Sequence, residues 1–145
     1  MVHRPVRSVL LFEYQPTRSG EHPRKFVSGF AGYLHVDGYS GYDGLPDVTL
    51  VGCLAHARGK FDEALKALPP SARTTQPVAQ EGLELCNRRF AIERDLCDAT
   101  PEERRAARLE HNRPVLDAFQ AWLERQAAYT LPKSALGRAI QYCRN

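Results

Sequence analysis

The sequence predicts an α/β protein with a strand-rich front and a helical back. Short runs of β-branched and aromatic residues, bounded by Pro and Gly, fill the front of the chain. Apolar residues at helical spacing dominate the rest. The 145 residues are 43% hydrophobic and 26% charged, an ordinary globular composition in a chain long enough to bury a core.

Three strands are expected in the front of the chain. They cover residues 6–14, 32–37 and 48–54, with a short helix within residues 22–30 and a loop over residues 38–47 that is rich in Gly, Tyr and Asp. The third strand is apolar on both faces, a pattern typical of a sheet that is covered on both sides.

Four helices are expected in the back, separated by a loop over residues 70–77 and by two start signals. Thr100-Pro101-Glu102-Glu103 combines an N-cap, a Pro at the first helical position and a capping-box Glu. Pro114 is expected to kink or break the third helix. The apolar stripes predicted to face the core are Leu54, Phe61, Leu65 and Leu68; Leu83, Cys86, Phe90 and Cys97; Leu109, Leu116, Phe119 and Leu123; and Leu136, Ile140 and Cys143.

Charge and cysteine usage exclude several classes of protein. The net charge is +3, with 7 basic and 5 acidic side chains in residues 1–60 and 13 and 12 in residues 61–145, so neither half is a basic arm. No apolar run approaches the roughly 18–20 residues that a membrane span needs, and the N-terminus lacks signal-peptide features. The four cysteines contain no CxxC pair, which favours free thiols in the cytoplasm over a disulfide framework.

Asp37 is the residue that stands out for chemistry. It follows a predicted strand and precedes Gly38, at the position where α/β proteins place their working residues, and its carboxylate there can hold a divalent cation. Asp-Gly is also a common turn pair, and a carboxylate that caps a turn is the alternative. Cys53 and His56 have the spacing of half a zinc site without a second half. His56 can equally be a hydrogen-bonded structural residue.

Several ordered segments resemble one family of bacterial transposases, the insertion-sequence-sixty-six family. Residues 32–42 (GYLHVDGYSGY) look like the strand that carries its second aspartate, and residues 51–61 (VGCLAHARGKF) look like its Cys-x-x-His-x-Arg-x-Lys-Phe signature. Further similar segments are residues 18–23, 91–94, 101–104, 122–123 and 131–142. The resemblance covers essentially the whole chain.

The resemblance implies a partial ribonuclease H-like α/β core over residues 1–68 and a helical insertion over residues 69–145. In that family three carboxylates, a DDE triad, hold two divalent metals, Mg²⁺ or Mn²⁺, that activate an oxygen nucleophile for attack on a DNA phosphodiester. Only Asp37 matches, as a catalytic and metal-binding acid. The other two acids are expected before Met1 and after Asn145. His56, Arg58 and Lys60, in the Cys-x-x-His segment, are the candidates for DNA binding.

Two functions follow from these expectations. The first is a fragment of a DDE transposase. The full-length protein acts on insertion-sequence ends in the bacterial cytoplasm, at the nucleoid. The fragment alone is expected to be inactive and not to bind a metal tightly. The alternative is a non-enzymatic helical module that self-associates or pairs with a full-length transposase, with the stripe from Leu109 to Leu123 partly exposed. Neither function involves a membrane.

Overall fold

The computed structural model describes residues 12–73 and 77–145 and has the α/β class that the sequence predicts at its coarsest level. The described chain contains one two-stranded sheet and is otherwise mainly helical. It divides into two compact units, a front unit that ends at Cys53 and a helical unit over residues 54–145. None of the described helices is long and apolar enough to cross a membrane.

The front unit contains a parallel pair of strands. Its elements are α1 (Glu21–Phe26), β1 (Gly32–Val36), a 3-10 turn (Ser40–Tyr42) and β2 (Val48–Gly52). The register pairs Gly32 with Val48 and Val36 with Gly52. The predicted short helix and the second and third predicted strands are therefore confirmed, and the 3-10 turn lies within the predicted loop.

The first and third predicted strands of the front unit differ from expectation or lie partly outside the described residues. Residues 6–11 of the first predicted strand lie outside the described residues, and residues 12–14 have no regular secondary structure. Burial of the third predicted strand on both faces is wrong for the described residues, since Thr49, Leu50 and Gly52 of β2 are exposed. An apolar strand indicates a capacity for burial, and the described front unit offers only one short helix and one 3-10 turn beside its strands.

The helical unit is built around one aromatic core. Its elements are α2 (Leu54–Lys66), α3 (Pro70–Arg73), α4 (Val78–Asp95), α5 (Pro101–Ala107), a π-helical turn (Arg108–Asn112), α6 (Arg113–Tyr129) and α7 (Ala135–Arg144). Helix α2 packs against α4 and α7, and α6 packs against both of those helices. Phe61 and Cys86 are fully buried, and the ring of Phe61 meets that of Trp122 edge-on at 5.6 Å.

Helix α4 approaches this core closely because of a glycine. A Cβ at Gly82 would lie 2.7 Å from the ring of Phe61 and 2.8 Å from that of Trp122, well inside van der Waals contact. Glycine costs helix stability relative to alanine. Its presence in the middle of α4 therefore serves the packing of α4 against the aromatic residues of α2 and α6.

The helix does not break at Pro114: the chain stays helical from Pro101 to Tyr129, with a π-helical turn over Arg108–Asn112 immediately before α6. The predicted kink stays a prediction. The stripe predicted for this region is only half right. Phe119 and Leu123 are buried, but Leu109 is 62% exposed and Leu116 38% exposed. Leu109 lies in the π turn, which changes the helical phase, and Leu116 lies on α6 one turn before the core begins.

The remaining helix signals mostly hold. Both hydrogen bonds of the capping box are present, with the Glu103 N–H donating to Thr100 Oγ1 at 3.2 Å and the Thr100 N–H donating to Glu103 Oε2 at 2.8 Å. The inner face of α7 is confirmed, with Ile140 buried in the core cluster. Cys97 is exposed, contrary to expectation, because α4 ends at Asp95 and leaves it in a turn.

Two boundaries differ in detail from the sequence prediction. The first half of the predicted loop over residues 70–77 forms the single-turn helix α3. Helix α2, which the sequence places in the first predicted domain, packs within the helical unit. The division of the chain at residues 68 and 69 into a ribonuclease H-like core and an insertion stays a prediction.

Candidate functional site

Asp37 lies directly after β1, as the sequence predicts, and its side chain is exposed. Its Oδ1 accepts a hydrogen bond from the Tyr39 N–H at 3.1 Å, the Asx-type turn expected of an Asp-Gly pair. Gly38 between them has φ +86°, a conformation that favours glycine. The carboxylate therefore caps the turn through one oxygen, and Oδ2 makes no hydrogen bond to the described residues.

The turn after Asp37 is held by the tyrosines of its motif. The Tyr39 hydroxyl donates to the carbonyl of Arg18, and the Arg18 guanidinium lies 5.1 Å from the centre of the same ring. Ring atoms of Tyr39 fill the space that a Cβ at Gly41 would need, so a side chain there would displace the ring. Tyr42 meets Tyr39 edge-on at 5.9 Å. The motif thus fixes the position of the chain that follows Asp37.

The described residues do not form a metal site by themselves. Among residues 12–73 and 77–145, no three His, Cys, Asp or Glu side chains lie together in a way that could hold a metal ion. Asp37 offers one free carboxylate oxygen, whereas Mg²⁺ takes six ligands. The predicted half zinc site, Cys53 and His56, is not part of such a group either.

The three DNA-binding candidates lie on α2, but they do not converge. Arg58 faces α4, with its Nε donating to Asn87 Oδ1 at 2.7 Å. Lys60 faces α7, with its ammonium 5.0 Å from the centre of the Tyr142 ring. His56 is exposed and has no side-chain hydrogen bond to the described residues. These separate contacts do not bring the three side chains into one cluster. A common role of the three in DNA binding therefore stays a prediction.

Sequence reasoning missed a pocket of about 410 Å³ that Arg58 shares with α4. The other lining residues are Asn87, Phe90 and Arg94, at positions i, i+3 and i+7 of α4 and hence on one face of it. The polar residues that flank Phe90 on this face were the signal in the sequence. Their convergence with Arg58 depends on the packing of α2 against α4, which periodicity does not give.

The thiols of Cys86, which is buried, and Cys143, which is half-buried, are structural. Burial raises the pKa of Cys86 to about 11, despite the nearby guanidinium groups of Arg89 and Arg58. Burial, with Cys86 nearby, raises the pKa of Cys143 to about 12. Both groups are thiols at neutral pH, and thiols are poor nucleophiles and metal ligands. The prediction that Cys86 is a small buried hydrophobic residue is confirmed.

A polar network fixes the π-helical turn. Glu93 on α4 accepts two hydrogen bonds from Arg108, at 2.8 and 2.7 Å, and a third from the Asn112 amide at 2.8 Å. Asn112, a buried polar residue, also accepts one from Arg89 at 3.3 Å. The hydrogen bonds from Arg108 are the main reason that the pKa of Glu93 lies below its ordinary value. The network ties the turn to α4.

Comparison with known proteins identifies relatives of unknown activity. The chain is 32% identical over 139 residues to the uncharacterized protein y4hP of Sinorhizobium fredii, covering 86% of this chain and 25% of that protein. It is 29% identical to the uncharacterized protein y4jD of the same organism, covering 95% of this chain and 28% of that protein. The chain thus spans about a quarter of the length of these curated relatives. No solved structure matches it.

A sequence model of one family covers nearly the whole chain. That family is described as "Transposase IS66 family", and its model matches residues 2–145. It is the family that the segments around Asp37 and His56 resemble. The match extends through both the strand pair and the helices that follow it, so it does not depend on one short motif. The chain therefore belongs to the IS66 family of transposases.

Proposed function

We propose that this chain is the middle part of the catalytic region of a DDE transposase, in which Asp37 supplies one of three metal-binding carboxylates. The observation that carries the proposal is the position of Asp37, directly after a strand of a parallel pair, in a chain of this family. The strand pair then belongs to a ribonuclease H-like sheet. DNA is the substrate in the full-length context, in the bacterial cytoplasm.

The geometry supports a ligand role for Asp37. Parallel strands bring their carboxyl ends to one edge of the sheet, where carboxylates from several strands can meet. Asp37 lies at that edge, exposed, with one oxygen bound to the turn and the other free. Carboxylate oxygens are the ligands that Mg²⁺ and Mn²⁺ prefer. One carboxylate leaves most of the coordination shell to water, so we expect this chain to bind such a metal only weakly.

Manganese binding tests the role of Asp37. Mn²⁺ broadens the NMR signals of nuclei close to it, so titration of the chain should first broaden the amide signals of residues 37–39. Asp37→Asn removes the charged oxygen and should abolish this broadening, whereas Asp43→Asn, in the same loop region, should leave it. Broadening that is uniform along the chain, or that is unchanged in Asp37→Asn, would contradict the proposal.

The same proposal makes a statement about DNA cleavage. Two metals are needed to stabilise both the attacking and the leaving oxygen, and the described residues do not form such a site. The chain alone should therefore not nick insertion-sequence end DNA with Mg²⁺ or Mn²⁺. Metal-dependent nicking that disappears in Asp37→Ala would show that the chain is active by itself.

A second candidate function, a helical module that self-associates or pairs with a full-length transposase, is favoured by one observation. Leu109 and Leu116 are 62% and 38% exposed, although both are large apolar residues. Self-association through them should give a dimer in sedimentation velocity that Leu109→Ser and Leu116→Ser together convert to monomer. Leu131→Ser, at another exposed leucine, is the control. A monomer at all concentrations would remove this candidate as a self-associating module.

A further inference from the structure

The pocket shared by α2 and α4 lies entirely within the helical unit and presents two arginines. Arg58 and Arg94 line it from the two helices, and the half-buried ring of Phe90 forms part of its wall. Arg58 is anchored by its Nε to Asn87, whereas the guanidinium of Arg94 makes no hydrogen bond or ion pair with the described residues. The volume, about 410 Å³, is within the range of roughly 300–1,000 Å³ that small-ligand sites occupy.

The polar side chains of the pocket have many more donors to spare than acceptors. A guanidinium has five N–H donors and no acceptor. Because Arg58 can only donate, the bond between its Nε and Asn87 requires that the amide oxygen of Asn87 faces Arg58. The remaining donors are then the terminal nitrogens of Arg58, the guanidinium of Arg94 and the NH₂ of Asn87, and the one remaining acceptor is the second lone pair of Asn87 Oδ1. A ligand that satisfies them must be rich in acceptors, and an anion satisfies them best.

The acidic side chains nearest along α4 do not neutralise this pocket. The carboxylate of Glu93, next to Arg94, is bound by Arg108 and Asn112 at the π-helical turn. Asp95 follows Arg94 and lies about 100° further around the helix. On α2, Asp62 pairs with Lys66 at 2.6 Å, one turn beyond Arg58. Arg58 and Arg94 therefore both line this pocket, and neither guanidinium is paired with a carboxylate of the described residues.

We propose that this pocket binds one nucleotide of an unpaired DNA strand, with its phosphate between Arg58 and Arg94 and its base on the ring of Phe90. An aromatic face beside cationic side chains is the combination with which proteins hold single strands. A stacked duplex does not offer a base face to a ring in a pocket, which is why the strand must be unpaired. The choice of DNA rests on the proposed function. What the pocket adds is that α4, through Phe90 and Arg94, binds the strand together with Arg58 of α2.

Binding of a labelled oligonucleotide of about ten nucleotides, close to the strand length that a small binding domain covers, tests the phosphate contact. Fluorescence anisotropy is measured in EDTA for the full chain. Arg94→Gln should weaken binding about five- to tenfold and reduce the slope of log K against log salt by about 0.7, the value for one phosphate contact on a single strand. Arg105→Gln is the matched control, because it removes the same charge from an exposed arginine on α5.

Phe90→Leu tests the base contact. It retains an apolar side chain and removes the aromatic face, so binding of the normal oligonucleotide should weaken about fivefold or more, the lower end of what one stacked base contributes. An abasic oligonucleotide of the same length should bind the wild-type chain and Phe90→Leu with equal affinity. This second ligand also serves as the folding control, because a damaged protein would lose affinity for both.

Each other outcome overturns the proposal. Equal losses of affinity in Arg94→Gln and Arg105→Gln would mean that only the overall charge of the protein matters. A loss in Arg94→Gln with none in Phe90→Leu would leave a phosphate site without a base. Tighter binding of duplex than of single strand, or no binding by the wild-type chain, would exclude an unpaired nucleotide. Because EDTA removes metal, Asp37→Asn should bind like wild type, so failure here and failure of the manganese experiment are separate results.

Discussion

The front unit and the helical unit of this chain differ in what holds them together. Among residues 12–53 only Gly41 is buried, and the aromatic residues Phe12 and Tyr33 are 93% and 77% exposed. The helical unit has a continuous core in which two aromatic rings of α6 pack against Phe61. The helical unit thus supplies its own hydrophobic stabilisation, whereas the described residues of the front unit leave apolar surface exposed.

This difference matters for function because Asp37 lies in the unit whose described residues form no buried core. Its position depends on local contacts, the turn hydrogen bond to Tyr39 and the contact of Tyr39 with Arg18. The curated relatives are about four times as long as the segment they share with this chain, which leaves ample sequence in those proteins to pack on such a sheet. The pocket between α2 and α4, in contrast, is built on helices that pack on a complete core.

The largest expected effect of a single substitution is in the helical core. Phe61→Ala removes a fully buried ring that contacts Phe119 and Trp122, and such truncations cost about 3–5 kcal/mol because they leave a cavity. Trp122 is the only tryptophan and lies in this core, so its fluorescence reports the unfolding of the helical unit in urea. The urea midpoint should fall sharply, or the variant should fail to fold.

The matched comparison is Leu50→Ala in β2. Leu50 is 36% exposed and lies in the front unit, outside the core that Trp122 reports on. The free energy of unfolding reported by Trp122 should therefore change by less than about 1 kcal/mol, well below the roughly 2–5 kcal/mol of a buried leucine. Equal destabilisation by Phe61→Ala and Leu50→Ala would break the distinction between the units, because it would mean that both residues contribute to one cooperative structure.

The sequence predicts the elements of both units better than their burial. Capping residues act locally, so the start of α5 at Thr100 and that of α7 at Ser134 follow from the chain itself. Burial depends on neighbours that are remote in sequence. The pattern of β2 is that of a covered strand, yet Leu50 is exposed, and the stripe of α6 includes Leu116, which lies before the core begins.

The candidate site divides in the same way. Asp37 was found because it follows a predicted strand and precedes a glycine, and both features are local. The pocket around Arg58 was missed because Asn87 and Arg94 come from another helix, which the packing of α4 against α2 brings beside it. The resemblance to the family identified the Arg58 segment without showing what its side chain contacts.

A smaller and pH-dependent effect on the free energy of unfolding is expected from the network at the π-helical turn. It sharpens the comparison of the two units, because this network adds polar stabilisation to the unit that already has an apolar core. Hydrogen bonds from Arg108 lower the pKa of Glu93 in the folded chain. The contribution of Glu93 to stability is therefore fully present above its unfolded pKa, about 4.3, and is lost as the pH falls through the lower folded value.

The variant Glu93→Gln tests this contribution. Since the side chains of Glu93 and Arg108 are both more than a third exposed, the substitution should cost only about 0.5–1 kcal/mol at pH 7. Below the folded pKa the two proteins should be equally stable. Glu63→Gln, at an exposed glutamate of α2, is the matched control for the loss of one carboxylate. Urea midpoints from Trp122 fluorescence at neutral and acidic pH measure the effect, and a difference that persists undiminished at low pH would show that Glu93 acts through shape rather than charge.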